Sequence, residues 1–531
     1  MSRVEKRMFA LLLVFNIIIC AWFLSRNGIM SDESDYYSYT IRWAHGDASR
    51  IRPTDDSKSP MLFPVLIPLV AKTFVHFPDD PYGFRWLKIG GMFMYLYVAI
   101  TSFFTMGWMR SIVGAKKWLI PLMLMLFDPL LICHSMLVGS DVASMAMLLA
   151  LTYCANRYAQ SRENRYWYWF CLFTGLAFVT KASMVLTAVV LPFTIIACHF
   201  NKQLPGIGVK NWAWKILLYG CTIWFTINVA YYFDGTFSPI ANWPELSDSF
   251  KSIKQSIGAF ASWPSPLPIH YVSAFDALKY HAAVGGYVHH PDNTYIGIIV
   301  LGKHFLHGSV WYYYLVTFFI KWPLLIWMLF GATVFFVMRQ FRKMHFKKHF
   351  LLWVTPLFFL VQISINNPFQ IGIRHALILY PFLYIIIAPV FVMLWKKRTT
   401  LMRMLLMLHM ISIAVFWPNL MAYTNELIWP KTKVYYYLND SSIHYGHDDF
   451  LSDEFITKHP EYQKPDSIPK PGKYAVIMER VTLPWNHWKL NWLNNFEPEG
   501  LYKHNVMLYN ITEADIEWLK TKNNEPTKLY Q

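Results

Sequence analysis

The chain has 531 residues, of which 55% are hydrophobic, 18% aromatic and only 15% charged, a balance that excludes an ordinary soluble protein. A net charge of +16 would point to nucleic acid in a soluble chain, but here Lys and Arg gather in short clusters between apolar runs, so the charge records membrane topology and excludes nucleic-acid binding. All six cysteines, Cys20, Cys133, Cys154, Cys171, Cys198 and Cys221, fall within apolar runs, which leaves neither a disulfide framework nor a thiol pair with metal spacing.

Runs of roughly 20 apolar residues cross a bilayer. Eleven are predicted, over about 8–25, 87–108, 118–137, 141–156, 167–180, 183–200, 213–233, 311–337, 350–366, 375–395 and 404–420. No small-residue cleavage site follows the first run convincingly, so it reads as a retained helix and not as a signal peptide. With a cytoplasmic N-terminus, the cytoplasmic loops collect the basic clusters Arg3–Lys6–Arg7, Arg110–Lys116–Lys117, Arg157–Arg162–Arg165, Lys202–Lys210–Lys215, Arg339–Lys348 and Lys396–Arg403. The segment Met61 to Phe77 contains Pro64 and Pro68, and counting it as a span would invert every later cluster, so it is expected to lie at the interface. Outer loops over about 26–85 and 234–310 follow, together with an outer part beyond residue 420. In that part Tyr474 to Val481 and Asn505 to Tyr509 read as short strands, and Thr512-Glu-Ala-Asp515 as a capped helix start.

Between Met30 and Tyr37, directly after the first apolar run, Asp32, Glu33 and Asp35 stand within four residues. Charge beside hydrocarbon is expensive and persists where it faces a cavity or a reaction. Asp141, at the start of the fourth span, Lys181, between the fifth and sixth, and Arg374, at the start of the tenth, fall on the same predicted outer face. Lys181 and Arg374 suit a phosphate at the membrane surface, and a carboxylate suits a general base for an incoming hydroxyl. Each residue has a structural alternative. The acids also read as a solvated loop, Asp141 as a helix N-cap, and Lys181 and Arg374 as interfacial anchors. His270, His281, His289, His290, His304 and His307 raise a metal reading, but their irregular spacing among aromatics favours structural or substrate-contact roles.

The stretch Ser31-Asp-Glu-Ser-Asp-Tyr-Tyr37 resembles the Asp-Glu motif of the polyprenyl-phosphate-sugar-dependent glycosyltransferases of GT-C fold, in particular the protein O-mannosyltransferase and aminoarabinose transferase group. Further similarities follow in order. His134-Ser-Met-Leu-Val-Gly-Ser-Asp141 is similar to a segment ending in Ser-Asp, and Phe178-Val-Thr-Lys181 to a Leu-Thr-Lys turn. Gly308 through Lys321-Trp-Pro323 resembles an aromatic approach to the eighth span with its Lys-x-Pro, and Arg374-His-Ala-Leu-Ile-Leu-Tyr-Pro381 an Arg-Tyr-x-Leu-Pro-x-x-Pro pattern. Tyr423-Thr-Asn-Glu426 and the stretch from Leu438 to Asp448 are similar to a Tyr-Phe-Asn-Glu motif and an Asp-Ser-Asn-x-Asp-Trp-Gly-Gln-Asp motif. In the latter, Ser442, His444, Tyr445 and His447 stand where Asn, Asp, Trp and Gln are expected.

The resemblance implies a lipid-linked sugar donor, inverting transfer and an active site on the outer face. The expectation is an α-helical polytopic membrane protein of GT-C type with about 11 spans in residues 1–420, followed by a small extramembrane α/β domain over 421–531. Its activity would move a sugar from a polyprenyl phosphate to an acceptor hydroxyl or phosphate on a protein, glycolipid or glycan. Asp32, Glu33 and Asp141 are the catalytic candidates, with Asp32 the base, and Lys181, Arg374 and Tyr36 the substrate-binding ones. No protein-held metal is assigned, although a divalent ion near Glu33 stays open. The expected location is a bacterial inner membrane with the site on its periplasmic face. A multi-spanning transporter and a non-catalytic scaffold for envelope assembly are the alternatives. The first is disfavoured because the charges lie at one face and not at a midplane between inverted repeats.

Overall fold

The computed structural model describes residues 2–44, 59–72, 74, 84–201, 204, 206–284, 298–305, 310–340, 346–366, 370, 372–439, 441–482 and 489–522. A helix occupies each of the eleven apolar segments, as hydrocarbon requires of a backbone that must satisfy its own hydrogen bonds. Among the described residues, Arg3–Arg26, Phe84–Val113, Ala182–Phe200, Val209–Ala230 and Ile373–Lys397 are long and apolar enough to cross a bilayer singly. The protein is therefore a multi-pass membrane protein.

Two segments expected to be continuous are broken, each at a proline. Residues 118–137 form two short helices, Leu119–Leu126 and Pro129–His134. Pro129 has no N–H to give the preceding turn, and Asp128 caps the second piece by accepting from Leu130 N at 2.9 Å and Leu131 N at 3.3 Å. Tyr384 donates to the other oxygen of this buried carboxylate at 2.6 Å. The eighth segment bends by 120° between Tyr313–Lys321 and Leu324–Arg339, where Pro323 interrupts it.

The helix Ser140–Ser161 lies at the centre. It packs against Phe84–Val113, Asn164–Phe178, Val190–Phe200, Phe350–Ile365 and the start of Ile373–Leu379. Small buried residues, Ala143, Ser144, Ala146, Ala150 and Ala155, let these neighbours approach. It runs 22 residues and stops at Arg162, whose φ of 58° is left-handed. Close approach is sharpest at Gly91, where a Cβ would meet the carbonyl oxygen of Met136 at 2.2 Å.

The interfacial segment forms two short helices, Pro60–Val65 and Leu66–Lys72. Together they reach about 20 Å, short of the roughly 30 Å of hydrocarbon. Residues 73 and 75–77 of this segment lie outside the described residues. The segment is tied to the bundle through Ser59 Oγ, which donates to Val179 O at 3.0 Å, and Tyr97 OH, which donates to Met61 O at 2.5 Å.

Beyond the last apolar helix a four-stranded sheet forms in the order Tyr462–Gln463, Gly472–Ile477, Val506–Ile511, Gly500–Tyr502. Its central pair is antiparallel with Tyr474 opposite Tyr509. The first expected strand ends at Ile477, and the chain turns into the helix Met478–Thr482. The expected cap is present before Glu513–Lys522: Asp515 N donates to Thr512 Oγ1 at 3.2 Å and Thr512 N to Asp515 Oδ2 at 2.8 Å. A second sheet, not anticipated, pairs Ile298–Val300 with Lys303–Phe305 and with Leu438–Asn439.

Candidate active site

The first helix ends at Arg26, and Asn27 accepts the task of closing it, donating from Nδ2 to Phe23 O at 2.8 Å. The chain then runs beside the loop 441–448. Gly28 N donates to His447 O at 2.6 Å and Ser31 N to Tyr445 O at 3.0 Å. Gly446 makes this fit possible, because its φ of +80° is left-handed and a Cβ there would meet Ser31 Oγ at 2.6 Å. The two backbone bonds bring Tyr445 to the acidic stretch.

Asp32 is held by two donors on one oxygen. Arg374 Nη1 lies 2.7 Å from Oδ2 and Tyr445 OH 2.5 Å from the same atom. The guanidinium also contacts the Tyr445 hydroxyl and sits 4.5 Å above that ring's centroid. Arg374 is fixed by the backbone before it, where Gly372 N donates to Tyr313 OH at 2.7 Å and Ile373 N to Ser442 Oγ at 2.9 Å. Burial pushes the Tyr445 hydroxyl well above the usual phenol range, so it acts as a proton donor to Asp32.

Glu33 is buried. Its two oxygens accept from Met30 N and Val138 N, both at 2.9 Å, which stitches the first loop to the turn before Ser140–Ser161. Burial raises its carboxyl to about 7, against the pull of those two N–H groups and of the Lys88 charge. Both oxygens are thereby held between the two backbone segments.

Asp141 lies in the first turn of Ser140–Ser161, and Gly139 stands at the N-cap without a side-chain bond. The carboxylate pairs with Lys181 at 2.9 Å. Lys181 is delivered by the N-terminal end of Ala182–Val189, just past the Thr180 hydroxyl that closes the preceding helix on Leu176 O. Burial and the nearby Asp141 and Asp32 charges raise the Tyr36 hydroxyl. Asp32, Glu33, Tyr36, Asp141 and Arg374 thus line one narrow pocket, with His134 and Tyr445. Asp35 is exposed and outside it.

Three residues escaped the sequence reading. Tyr445 belongs to the quoted C-terminal motif, where it stands in place of Trp. His134 opens a quoted segment read only for its final Asp141. Its Nδ1 bonds to Leu130 O at 2.8 Å, and its buried Nε2 has no hydrogen-bond partner among the described residues. Lys321 is fully buried and donates to the carbonyls of Met421 and Ser442, both at 2.6 Å, holding the end of the 441–448 loop.

Of the second outer loop's histidines, His270 lies 3.2 Å from Asp234. His289, His290 and His307 lie outside the described residues, and His281 and His304 are described in backbone only. A broader concavity of about 450 Å³ on the C-terminal part, lined by Asp453, Lys464, Asp466 and Arg480 among others, contains none of the predicted site residues.

No protein-family model matches the chain, and no curated protein matches it. Solved structures similar to the chain include those of ArnT from Cupriavidus metallidurans bound to undecaprenyl phosphate and in the apo state. They share 13% sequence identity over 72% of this chain, with TM-scores of 0.42 and 0.43. The chain spans 59% of the length of those two proteins. At these values the likeness assigns no chemistry to this chain.

Proposed function

We propose that the protein is an integral membrane glycosyltransferase that moves a sugar from a polyprenyl phosphate to an acceptor hydroxyl at the outer, periplasmic face, with inversion. One observation carries the reading: Arg374 lines the pocket paired with Asp32, and a second cation, Lys181, pairs with Asp141, another lining carboxylate, at the ends of apolar helices. A phosphodiester competes for such cations directly, since Arg and Lys bind phosphate oxygens by the charge-assisted bonds they now give to Asp141 and Asp32. Donor binding at Arg374 releases Asp32 from its ion pair, so the base becomes available when the sugar is in place. The acceptor oxygen attacks the anomeric carbon and passes its proton to Asp32, and the bond to the phosphate oxygen breaks as the polyprenyl phosphate leaves. Glu33 and Tyr36 position the reacting groups, and residues 421–531 form a small outer domain over the site. Favouring this over transport, the charges gather at one pocket and bond to a C-terminal loop.

The test is transfer of labelled sugar from a polyprenyl phosphate by membranes carrying the protein or its Asp32→Asn variant at matched expression. Turnover that vanishes in the variant while donor stays bound supports the reading. If no substitution of Asp32, Glu33 or Asp141 affects transfer of any polyprenyl-linked sugar, the reading gives way to a transporter or scaffold.

A further inference from the structure

The loop that carries Tyr445 into the pocket buries a second group of polar residues away from it: His444, His447 and Asp448, with side-chain exposures of 4%, 0% and 1%. One ring nitrogen of each histidine and a carboxylate oxygen of Asp448 all lie within 4.8 Å of one another. Their hydrogen-bond partners fix which atoms carry lone pairs. Asn419 turns its Nδ2 to Asp448 Oδ2 at 2.8 Å, so its Oδ1, 2.9 Å from His447 Nε2, accepts the proton there. His447 Nδ1 is left as a lone pair, buried, without a hydrogen-bond partner, and 3.6 Å from Asp448 Oδ1. Two acceptors facing each other in a dry interior repel.

His444 faces the same carboxylate: its Nδ1 lies 2.5 Å from Asp448 Oδ1 and 3.0 Å from Asn505 Nδ2, which itself donates to Asp448 Oδ2 at 2.6 Å. On the other side, its Nε2 faces Glu479 Oε2 at 3.0 Å and Asp449 Oδ1 at 3.4 Å. An imidazole whose outer N–H is given to a carboxylate or amide oxygen, with its inner nitrogen turned to a shared point, is the arrangement of a metal-bound histidine.

We propose that His444 Nδ1, His447 Nδ1 and the Asp448 carboxylate hold a divalent transition-metal ion of the zinc class. Nitrogen-rich donor sets favour such an ion over calcium or magnesium, which take oxygen. Two ligands at about 2.0–2.1 Å from a tetrahedral ion stand about 3.3 Å apart. His447 Nδ1 is already near that separation from Asp448, and the His444–Asp448 contact of 2.5 Å opens by about 0.8 Å as the ion replaces the shared proton. The site is closed, and its partners come from three places: Asn419 after the last apolar helix, the 444–448 loop, and Asn505 before the strand Val506–Ile511. The ion would clasp the C-terminal sheet to the membrane part and hold still the loop that presents Tyr445.

The experiment uses the full chain purified in detergent, stripped with a chelator and reloaded with zinc alone, then with cobalt alone. Metal per chain is counted after gel filtration. The expected result is about one zinc per chain, a raised melting temperature, and visible cobalt bands of a tetrahedral nitrogen–oxygen site. His447→Gln abolishes all three, and Asn419→Ala, which removes only an outer hydrogen bond, weakens zinc binding about 10–100-fold. Stripped and reloaded protein that keeps its melting transition but retains no zinc overturns the proposal, and leaves a proton shared between His444 and Asp448. Undiminished zinc in His447→Gln overturns it too, by placing the metal elsewhere. Metal content is read without turnover, so neither result depends on the transferase reading.

Discussion

Lys321 and the pair Lys181 and Arg374 are all cations at the ends of apolar helices, and they live in different ways. Lys321 is fully buried and gives its protons to two neutral carbonyls. Lys181 and Arg374 keep 27% and 12% of their side chains exposed, and each faces a carboxylate beside a pocket. A cation buried among carbonyls has no route by which a ligand could reach it. A cation paired with a carboxylate in an open pocket can trade that partner for a phosphate at little cost, because one anion replaces another. In a membrane protein the kind of partner and its access therefore separate a structural charge from a working one better than burial alone.

That contrast can be broken experimentally, most forcefully at Asp32. Asp32→Asn keeps the shape and removes the base, and sugar transfer is expected to fall by about two to four orders of magnitude with donor binding retained. Asp35→Asn, in the first turn of the helix Glu33–Ala44 that follows Asp32, should change little. Retention of most activity in Asp32→Asn would falsify the assignment of the base. Next in size is Arg374→Ala, which should raise the donor KM by at least about tenfold, with partial recovery in Arg374→Lys, since Lys restores charge without the planar fork. Unchanged donor kinetics would make Arg374 an anchor.

Lys321→Met asks the opposite question. Two buried carbonyls lose their donor, at a cost of about 1–3 kcal/mol each. The melting temperature should drop while donor KM in the surviving protein stays as before; a selective KM effect would erase the distinction drawn between the two kinds of cation. The smallest effect belongs to Glu33. Its carboxyl is raised from an ordinary 4.5 to about 7 in the folded protein, so between those values the folded state holds a proton that the unfolded chain has lost. Stability from this group is therefore full at low pH, declines as pH rises through that window, and is absent above it. Melting temperatures between pH 5 and about 8 should show the decline, flattened in Glu33→Gln; a slope of the opposite sign would mean that Glu33 is ionised when folded.

Asp32, Asp141, Lys181 and Arg374 were legible in the sequence because charge is scarce in a chain that is 15% charged, and a charge at the edge of an apolar run stands out against it. Their pairing was not legible. Asp32 and Arg374 are 342 residues apart, and no local pattern states which anion faces which cation. Tyr445 was hidden for the contrary reason, being one of 32 tyrosines in a region where aromatics are common. Lys321 was visible as a motif residue, but whether a lysine beside proline snorkels to the interface or turns inward depends on which carbonyls the fold later brings to it. The breaks at Asp128 and Pro323 were signalled by their prolines and obscured by the apolar runs on either side.

The two backbone bonds between the 28–31 segment and the 445–447 loop also set a timetable. Ser31 and Tyr445 are separated by 414 residues. At about 5–20 residues per second of synthesis, roughly 20 to 80 s pass between the emergence of the acids and of the loop that completes their surroundings. Through that interval Asp32 stands without Tyr445, and through most of it without Arg374, 342 residues further on, so the pocket lacks its far wall. The pocket is thus complete only once the last fifth of the chain has been made and docked against the 28–31 segment.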